Sequence, residues 1–271
     1  MDSTVRRIFV LVVAIALSAC AFALSVPLVA SARGVGGPLV SDAERPLLAV
    51  LGIVGSLSAV TAIACGVGRL LNAVVGLFVL GTGLGLLSMR MGTSVDLAFG
   101  GSSVKLAALE LAAWTLLVAA ASHAVFRFSG PLSDIPPTHE DEIDSPVGKA
   151  ARVSWLAGLA ALAAAWLVAA SATKGQAIGA AVIGGFAAGA IGRLLAPRTQ
   201  PVYLAAAPVA AFALAYAFMV FTLKGDLAAG VVDGSFPRLL RLMPVDIAAG
   251  SLAGVSLGYG FARSFIESKE A

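Results

Sequence analysis

The sequence predicts an all-α membrane protein, a polytopic bundle of about eight transmembrane helices arranged as two parallel four-helix repeats. Composition is the first observation behind this prediction: of 271 residues, 59% are hydrophobic and 12% are charged, and the mean hydropathy is +0.96. A water-soluble domain of this size would need more polar residues to cover its surface. Apolar runs and repeated motifs are the other two observations. The bilayer is therefore the expected solvent.

The apolar runs predict the individual spans. A helix of about 20 residues crosses a hydrocarbon core of roughly 30 Å. Eight apolar runs approach that length, at 8–30, 47–67, 70–89, 106–126, 153–173, 176–192, 202–223 and 245–262, and only the fourth and the eighth contain a charged residue, Glu110 and Asp246. Gly68 with Arg69 separates the second run from the third, and Lys174 with Gly175 separates the fifth from the sixth. Tight helical hairpins are expected at both places.

Three pairs of short motifs indicate an internal duplication. The longest pair shares a template of a base, Leu, three variable residues, an acid, Leu or Ile, and Ala-Ala. In chain order the pairs are 68–71 with 192–195, 96–100 with 226–230, and 105–113 with 241–249. The offset grows from 124 to 130 to 136 residues, as expected if the second copy gained two short insertions. Internal repeats of this kind are common in transporter folds.

The chain divides into two predicted membrane repeats and a linker. Residues 1–127 form the first repeat and residues 153–271 the second, with four spans each. Residues 128–152 contain four prolines and an acidic run at 139–144, a composition typical of a solvated linker. The acidic run lacks the oxygen-ligand spacing of a calcium-binding loop. Binding of a protein partner is the alternative use of this segment.

The distribution of Lys and Arg predicts the orientation. With a cytoplasmic N-terminus, ten of the 18 basic residues lie on the cytoplasmic side and eight lie outside, a small bias in the direction of the positive-inside rule. We therefore expect a multi-pass protein of the cell (inner) membrane with both termini in the cytoplasm. Four spans per half give the repeats the same orientation, related by a pseudo-two-fold axis along the membrane normal.

The first apolar run has a second interpretation. Arg6 and Arg7 precede it, and Leu17–Cys20 has the form of a bacterial lipoprotein cleavage site. The run continues past this point to Ala30, however, which favours a retained first span. Cleavage with lipidation at Cys20 is the alternative.

Glu110 and Asp246 are the main functional candidates, because ionisable residues in membrane segments are costly and mark functional sites by default. They occupy the same position of the repeated template. In one hypothesis they face each other near the pseudo-axis and line a path for a cation or small solute, with Lys105 and Arg241 adjusting the local charge. The other hypothesis is structural. Pro244 suits the first position of a helix, so Asp246 would lie in the first turn, where the helix dipole stabilises a carboxylate.

Glycines at every fourth position predict close helix packing. Gly250, Gly254 and Gly258 follow one another along the last span, and Gly185 and Gly189 have the same spacing in the sixth. Small residues let the backbones of membrane helices approach closely. A narrow pore wall is the alternative interpretation of this smooth face.

Arg69 and Arg193 occupy matching positions in the two Gly-Arg-Leu-Leu motifs. Both are expected at helix ends, where long basic side chains reach lipid headgroups. We interpret them as lipid-facing anchors, with the bilayer as the main partner of the chain.

Several other functions lack support in the sequence. The run 254–258 has the spacing of a nucleophile elbow but lies in a continuous apolar span, and no phosphate-binding loop is present. We expect no enzyme activity and no cofactor. Cys20 and Cys65 have no spacing typical of a metal site. The basic residues are scattered singly, so nucleic acid is not an expected partner.

The sequence thus predicts an integral membrane protein that acts as a channel or transporter, or as the membrane subunit of one, for a small solute or ion. The alternative is a scaffold or assembly protein that recruits partners through the acidic linker. A membrane-embedded enzyme acting on lipid-linked substrates has the least support, since no catalytic set of residues converges.

Overall fold

The computed structural model describes residues 3–132, 134–135, 148–223 and 225–270. Within these ranges the chain is helical, with one isolated bridge between Ala30 and Gly36 and no β-strand. The predicted all-α membrane fold is confirmed at this level. The acidic run 139–144 lies outside the described residues, as do most of the prolines of the predicted linker.

Five helices form the first half of the chain: α1 Ser3–Ala23, α2 Pro46–Leu70, α3 Ala73–Ser88, α4 Ser94–Gly100 and α5 Val104–Ser129. Local sequence explains their starts. Pro46 opens α2, the Asn72 side chain accepts a hydrogen bond from the Val75 amide at 2.8 Å, and the Ser103 hydroxyl accepts one from the Leu106 amide at 3.2 Å. Such caps satisfy amides that have no partner within the helix.

Six helices form the second half: α6 Lys149–Trp155, α7 Ala157–Val168, α8 Lys174–Leu195, α9 Ala206–Thr222, α10 Leu227–Asp233 and α11 Pro244–Glu270. Helices α6 and α7 follow each other directly and together supply one stretch of membrane-spanning length. The linker is therefore shorter than predicted at both ends, because α5 continues to Ser129 and α6 begins at Lys149.

Six stretches in the described ranges are long and apolar enough to cross a membrane: α1, α2, α5, α6 with α7, α8 and α11. A seventh is formed if α9 and α10, which are bent by 100° to each other, count as one broken span. Helix α3 is apolar but has 16 residues, which at a rise of about 1.5 Å per residue is short for a full crossing. Eight spans thus remain a prediction.

The two halves place similar elements in the same order. Short helices α4 and α10 each end at a left-handed glycine, Gly101 with φ of 80° and Gly234 with φ of 79°. Each short helix is followed by a long one, α5 or α11. The halves also exchange contacts, because α3 packs on α11 and α9 packs on α5, while α4 touches α10.

Helix α11 is the central element of the bundle. It packs mainly against α8 and α3 and also touches α5 and α9. In its most apolar stretch of membrane-spanning length, 83% of the residues are buried. Large apolar side chains on the outer helices are exposed instead, among them Leu116, Leu167, Leu214 and Phe221. A continuous apolar exterior of this kind suits lipid contact.

Helix α1 is an integral part of the bundle but is shorter than its apolar run. The Ser18 hydroxyl donates to the Val79 carbonyl of α3 at 3.2 Å, and Phe22 is fully buried. The helix ends at Ala23 and a short 3-10 turn, Val26–Val29, follows with Pro27 near its start. The predicted continuation of the span to Ala30 is therefore wrong, because proline cannot continue the helical hydrogen bonding.

Candidate functional site

Asp246 lies in the first turn of α11 and is fully buried. Its Oδ2 accepts a hydrogen bond from the Met243 amide at 3.0 Å, one of the amides that the start of a helix leaves without a partner. This is the arrangement that Pro244 at the first helical position predicts. The carboxylate also lies at the positive end of the helix dipole, which stabilises its charged form.

Three helix ends converge on this carboxylate. The Lys174 ammonium, at the start of α8, lies 2.7 Å from Oδ1 of Asp246. The Ser88 hydroxyl, at the end of α3, donates to the same oxygen. Lys174 also donates to the Gly92 carbonyl at 3.0 Å. We call this arrangement of Ser88, Gly92, Lys174, Met243 and Asp246 the Asp246 pocket.

The Lys174–Asp246 ion pair is unevenly exposed. The side chain of Lys174 is 16% exposed and that of Asp246 is 1% exposed. Lys174 is the first residue of α8, where the helix dipole disfavours a positive charge. Its position therefore depends on the attraction of Asp246, and the carboxylate in turn depends on Lys174 to balance its charge in a site of low dielectric constant.

A cavity of about 230 Å³, lined in part by Arg33, Gly37, Asp42 and Asp96, is linked to the Asp246 pocket through Gly92. Gly92 joins the two, because its amide donates to the Gly37 carbonyl at 2.9 Å while its own carbonyl accepts from Lys174.

Glu110 has a different environment. Its Oε2 accepts from the Val40 amide at 2.8 Å, and its Oε1 accepts from the Trp114 indole at 3.4 Å. Its carboxylate thus holds the connection between α1 and α2 against α5. Glu110 and Asp246 have separate partners, so the hypothesis that the two carboxylates form one path gains no support from their hydrogen bonds.

Lys105 and Arg241 contact neither carboxylate in the described hydrogen bonds and ion pairs. Lys105 is exposed. Arg241 donates to the Ala169 carbonyl at 3.0 Å and to the Ala170 carbonyl, so it satisfies acceptors that the end of α7 leaves free. The cation that pairs with Asp246 is Lys174, which lies between two predicted spans in the sequence. The predicted orientation puts Lys174 on the same side of the membrane as Asp246, and this is the one sequence signal that could have linked the two residues.

The five predicted packing glycines lie where α8 meets α11. A Cβ atom added to Gly250 would lie 2.7 Å from the Val182 amide nitrogen, and one added to Gly185 would lie 2.6 Å from the Gly250 carbonyl oxygen. Added Cβ atoms on Gly189, Gly254 and Gly258 would likewise press on the backbone of the facing helix. The smooth face of α11 is therefore filled by α8.

The interpretation of Arg193 as a lipid-facing anchor is wrong, because this residue is 3% exposed. Its guanidinium lies 4.6 Å from the Tyr259 ring centre, donates to the Tyr259 hydroxyl and bonds to Asp134 at 3.2 Å. Arg69, the matching residue at the end of α2, is exposed as an anchor would be. The arginine of the same motif is buried in one half and exposed in the other, because α8 packs against the central helix, whereas α2 lies further from it.

Comparison with protein-family models, curated proteins and solved structures finds no match to this chain.

Proposed function

We propose that this chain is a membrane carrier for a small cationic solute, built from two parallel four-helix repeats, and that the Asp246 pocket is its polar centre. The observation that carries the proposal is the pairing of Lys174 with the buried Asp246 among the ends of three helices. Charged side chains inside a membrane bundle are costly to keep and usually belong to substrate or ion pathways. The repeated sequence motifs add support, since carriers commonly place their sites between repeated halves.

A carrier fits the packing better than an open channel does. A channel would need a continuous pore along the central helix. The glycine face of α11 was the candidate for the wall of such a pore. That face is in backbone contact with α8. Movement of a solute past the Asp246 pocket would therefore require α3, α8 and α11 to shift relative to one another. In this proposal, the cavity linked to Gly92 serves as the approach from one side.

Purified protein reconstituted in liposomes tests the proposal. Currents on a solid-supported membrane would be recorded for a panel of small inorganic and organic cations. We expect the wild type to give solute-dependent currents that Asp246→Asn abolishes. The matched control is Asp226→Asn, since Asp226 is exposed and its Oδ1 caps α10 through the Ala228 amide, a role that asparagine also fills.

Two outcomes would refute the proposal. One is a wild type whose currents equal those of empty liposomes for every cation of the panel. The other is an Asp246→Asn variant that transports as well as the wild type. If the same protein instead loses a cellular phenotype when residues 136–146 are deleted, the scaffold hypothesis is the better account.

A further inference from the structure

The ammonium of Lys174 contacts Asp246 Oδ1 and the Gly92 carbonyl oxygen. We propose that Asp246, Ser88 and the Gly92 carbonyl form a binding site for a small cation with N–H groups, either ammonium or a primary amine, and that Lys174 fills this site as a tethered substitute. The inference rests on the proposed function and names the chemical class of the solute.

The acceptor atoms suit an N–H donor. Lys174 directs hydrogen bonds to Asp246 Oδ1 at 2.7 Å and to the Gly92 carbonyl oxygen at 3.0 Å, and an ammonium group has three such donors. Calcium and magnesium require about six or more oxygen ligands. Here the carboxylate already accepts from the Ser88 hydroxyl and the Met243 amide, so few oxygen lone pairs remain for a metal ion.

Lys174 is able to leave the site. It is the first residue of α8, its side chain is partly exposed, and its helix dipole opposes its charge. A flexible four-carbon stem joins the ammonium to the backbone, so the group reaches water without movement of α8. Asp246 cannot follow, since it is fully buried. A second cation is then needed to balance its charge.

Neighbouring polar groups do not replace Lys174. Arg241 is held by the carbonyls at the end of α7, and the Tyr216 hydroxyl donates to the Leu242 carbonyl. Glu110, the matching acid of the first half, accepts from amide and indole N–H groups. Of the two related carboxylates, Asp246 is thus the one paired with a removable ammonium.

Chemical rescue of Lys174→Ala tests this inference. The variant removes the tethered ammonium and leaves room for methylammonium. In detergent, we expect a lowered unfolding temperature that methylammonium chloride restores for the most part, in a saturable manner. Tetramethylammonium chloride at equal concentration should not restore it, because this ion has no N–H group. Lys174→Ala combined with Asp246→Asn should show no response to methylammonium beyond that to tetramethylammonium.

A second variant keeps the test decisive if Lys174→Ala does not fold. In Lys174→Met, the methionine side chain fills the space of the four lysine carbons and leaves the position of Nζ empty. Ammonium itself is therefore the probe for this variant. Equal effects of ammonium and tetramethylammonium would overturn the inference. Restoration by acid alone would also overturn it, since Asp246 would then be neutralised by a proton.

The two proposals fail in different ways. Rescue reports binding in detergent, whereas the liposome currents report transport. A protein that transports but shows no rescue refutes the amine site and keeps the carrier. A protein that is rescued but never transports refutes the carrier.

Discussion

Gly254→Ala is the sharpest test of the contact between α8 and α11, because the substitution adds only one methyl group. The new Cβ would lie 2.7 Å from the Phe186 amide nitrogen, 2.9 Å from the Gly185 Cα and closer still to the Val182 carbonyl oxygen. Favourable separations between such atoms are about 3.5–4.0 Å. Helices α8 and α11 would therefore have to separate by about 1 Å, because all three contacts are with backbone atoms that no rotamer change can move.

The expected loss of stability follows from two opposing effects. Overpacking by one methyl group costs about 1–3 kcal/mol, while alanine in place of glycine favours the helix by about 1 kcal/mol. The free energy of unfolding should therefore fall by up to about 2 kcal/mol. Gly260→Ala is the matched control on the same helix, since its Cβ meets nothing within 4 Å. That variant should be as stable as the wild type or gain up to about 1 kcal/mol.

Steric trapping of the unfolded state in detergent micelles measures both free energies of unfolding. The wild type, Gly254→Ala and Gly260→Ala would be compared in the same detergent, because the detergent that covers the apolar exterior of the bundle affects its stability. If the two alanine variants are equally stable, α8 and α11 do not pack through this glycine face. The glycine face of α11 could then line an open channel.

Three further predictions concern buried polar groups. Lys174→Ala removes the cation that pairs with the buried Asp246, so it should lower the free energy of unfolding by about 3–5 kcal/mol, measured by thermal unfolding in detergent. Arg193→Ala should cost a similar amount by the same measurement, since a buried cluster loses its cation, whereas Arg69→Ala on the surface should change it by no more than about 0.5 kcal/mol. Tyr216→Phe removes a donor to a buried carbonyl and should cost about 1–3 kcal/mol in a chemical denaturation series.

Each of these predictions has an outcome that contradicts it. Equal stabilities of the Arg193 and Arg69 variants would mean that the two motifs are equally exposed. Tyr203→Phe is the control for Tyr216→Phe, because the Tyr203 hydroxyl contacts His123 at an exposed position. A larger loss in the Tyr203 variant would contradict the burial described here. A stable Lys174→Ala that does not depend on added ions would show that Asp246 needs no cation.

Patterns along a single helix proved most predictable from the sequence. Pro244 two residues before Asp246 indicates a first-turn carboxylate, and that is where Asp246 lies. Pairings between distant segments were not predictable. Whether Lys174 reaches Asp246 depends on the rotation of α8 against α11, which no local pattern encodes. Arg69 and Arg193 share one motif yet differ in burial, because burial depends on which helices the remaining chain places around them.

The exchange of contacts between the halves has a consequence for biosynthesis. Helix α3 finds its main partner in α11, which begins 156 residues after α3 ends. At a synthesis rate of about 5–20 residues per second, α3 waits roughly 10–30 s for that partner. Ser88, at the end of α3, acquires its carboxylate only when the start of α11 arrives. The first half alone is thus an unfinished assembly, and membrane quality control has this interval in which to recognise chains whose second half fails to insert.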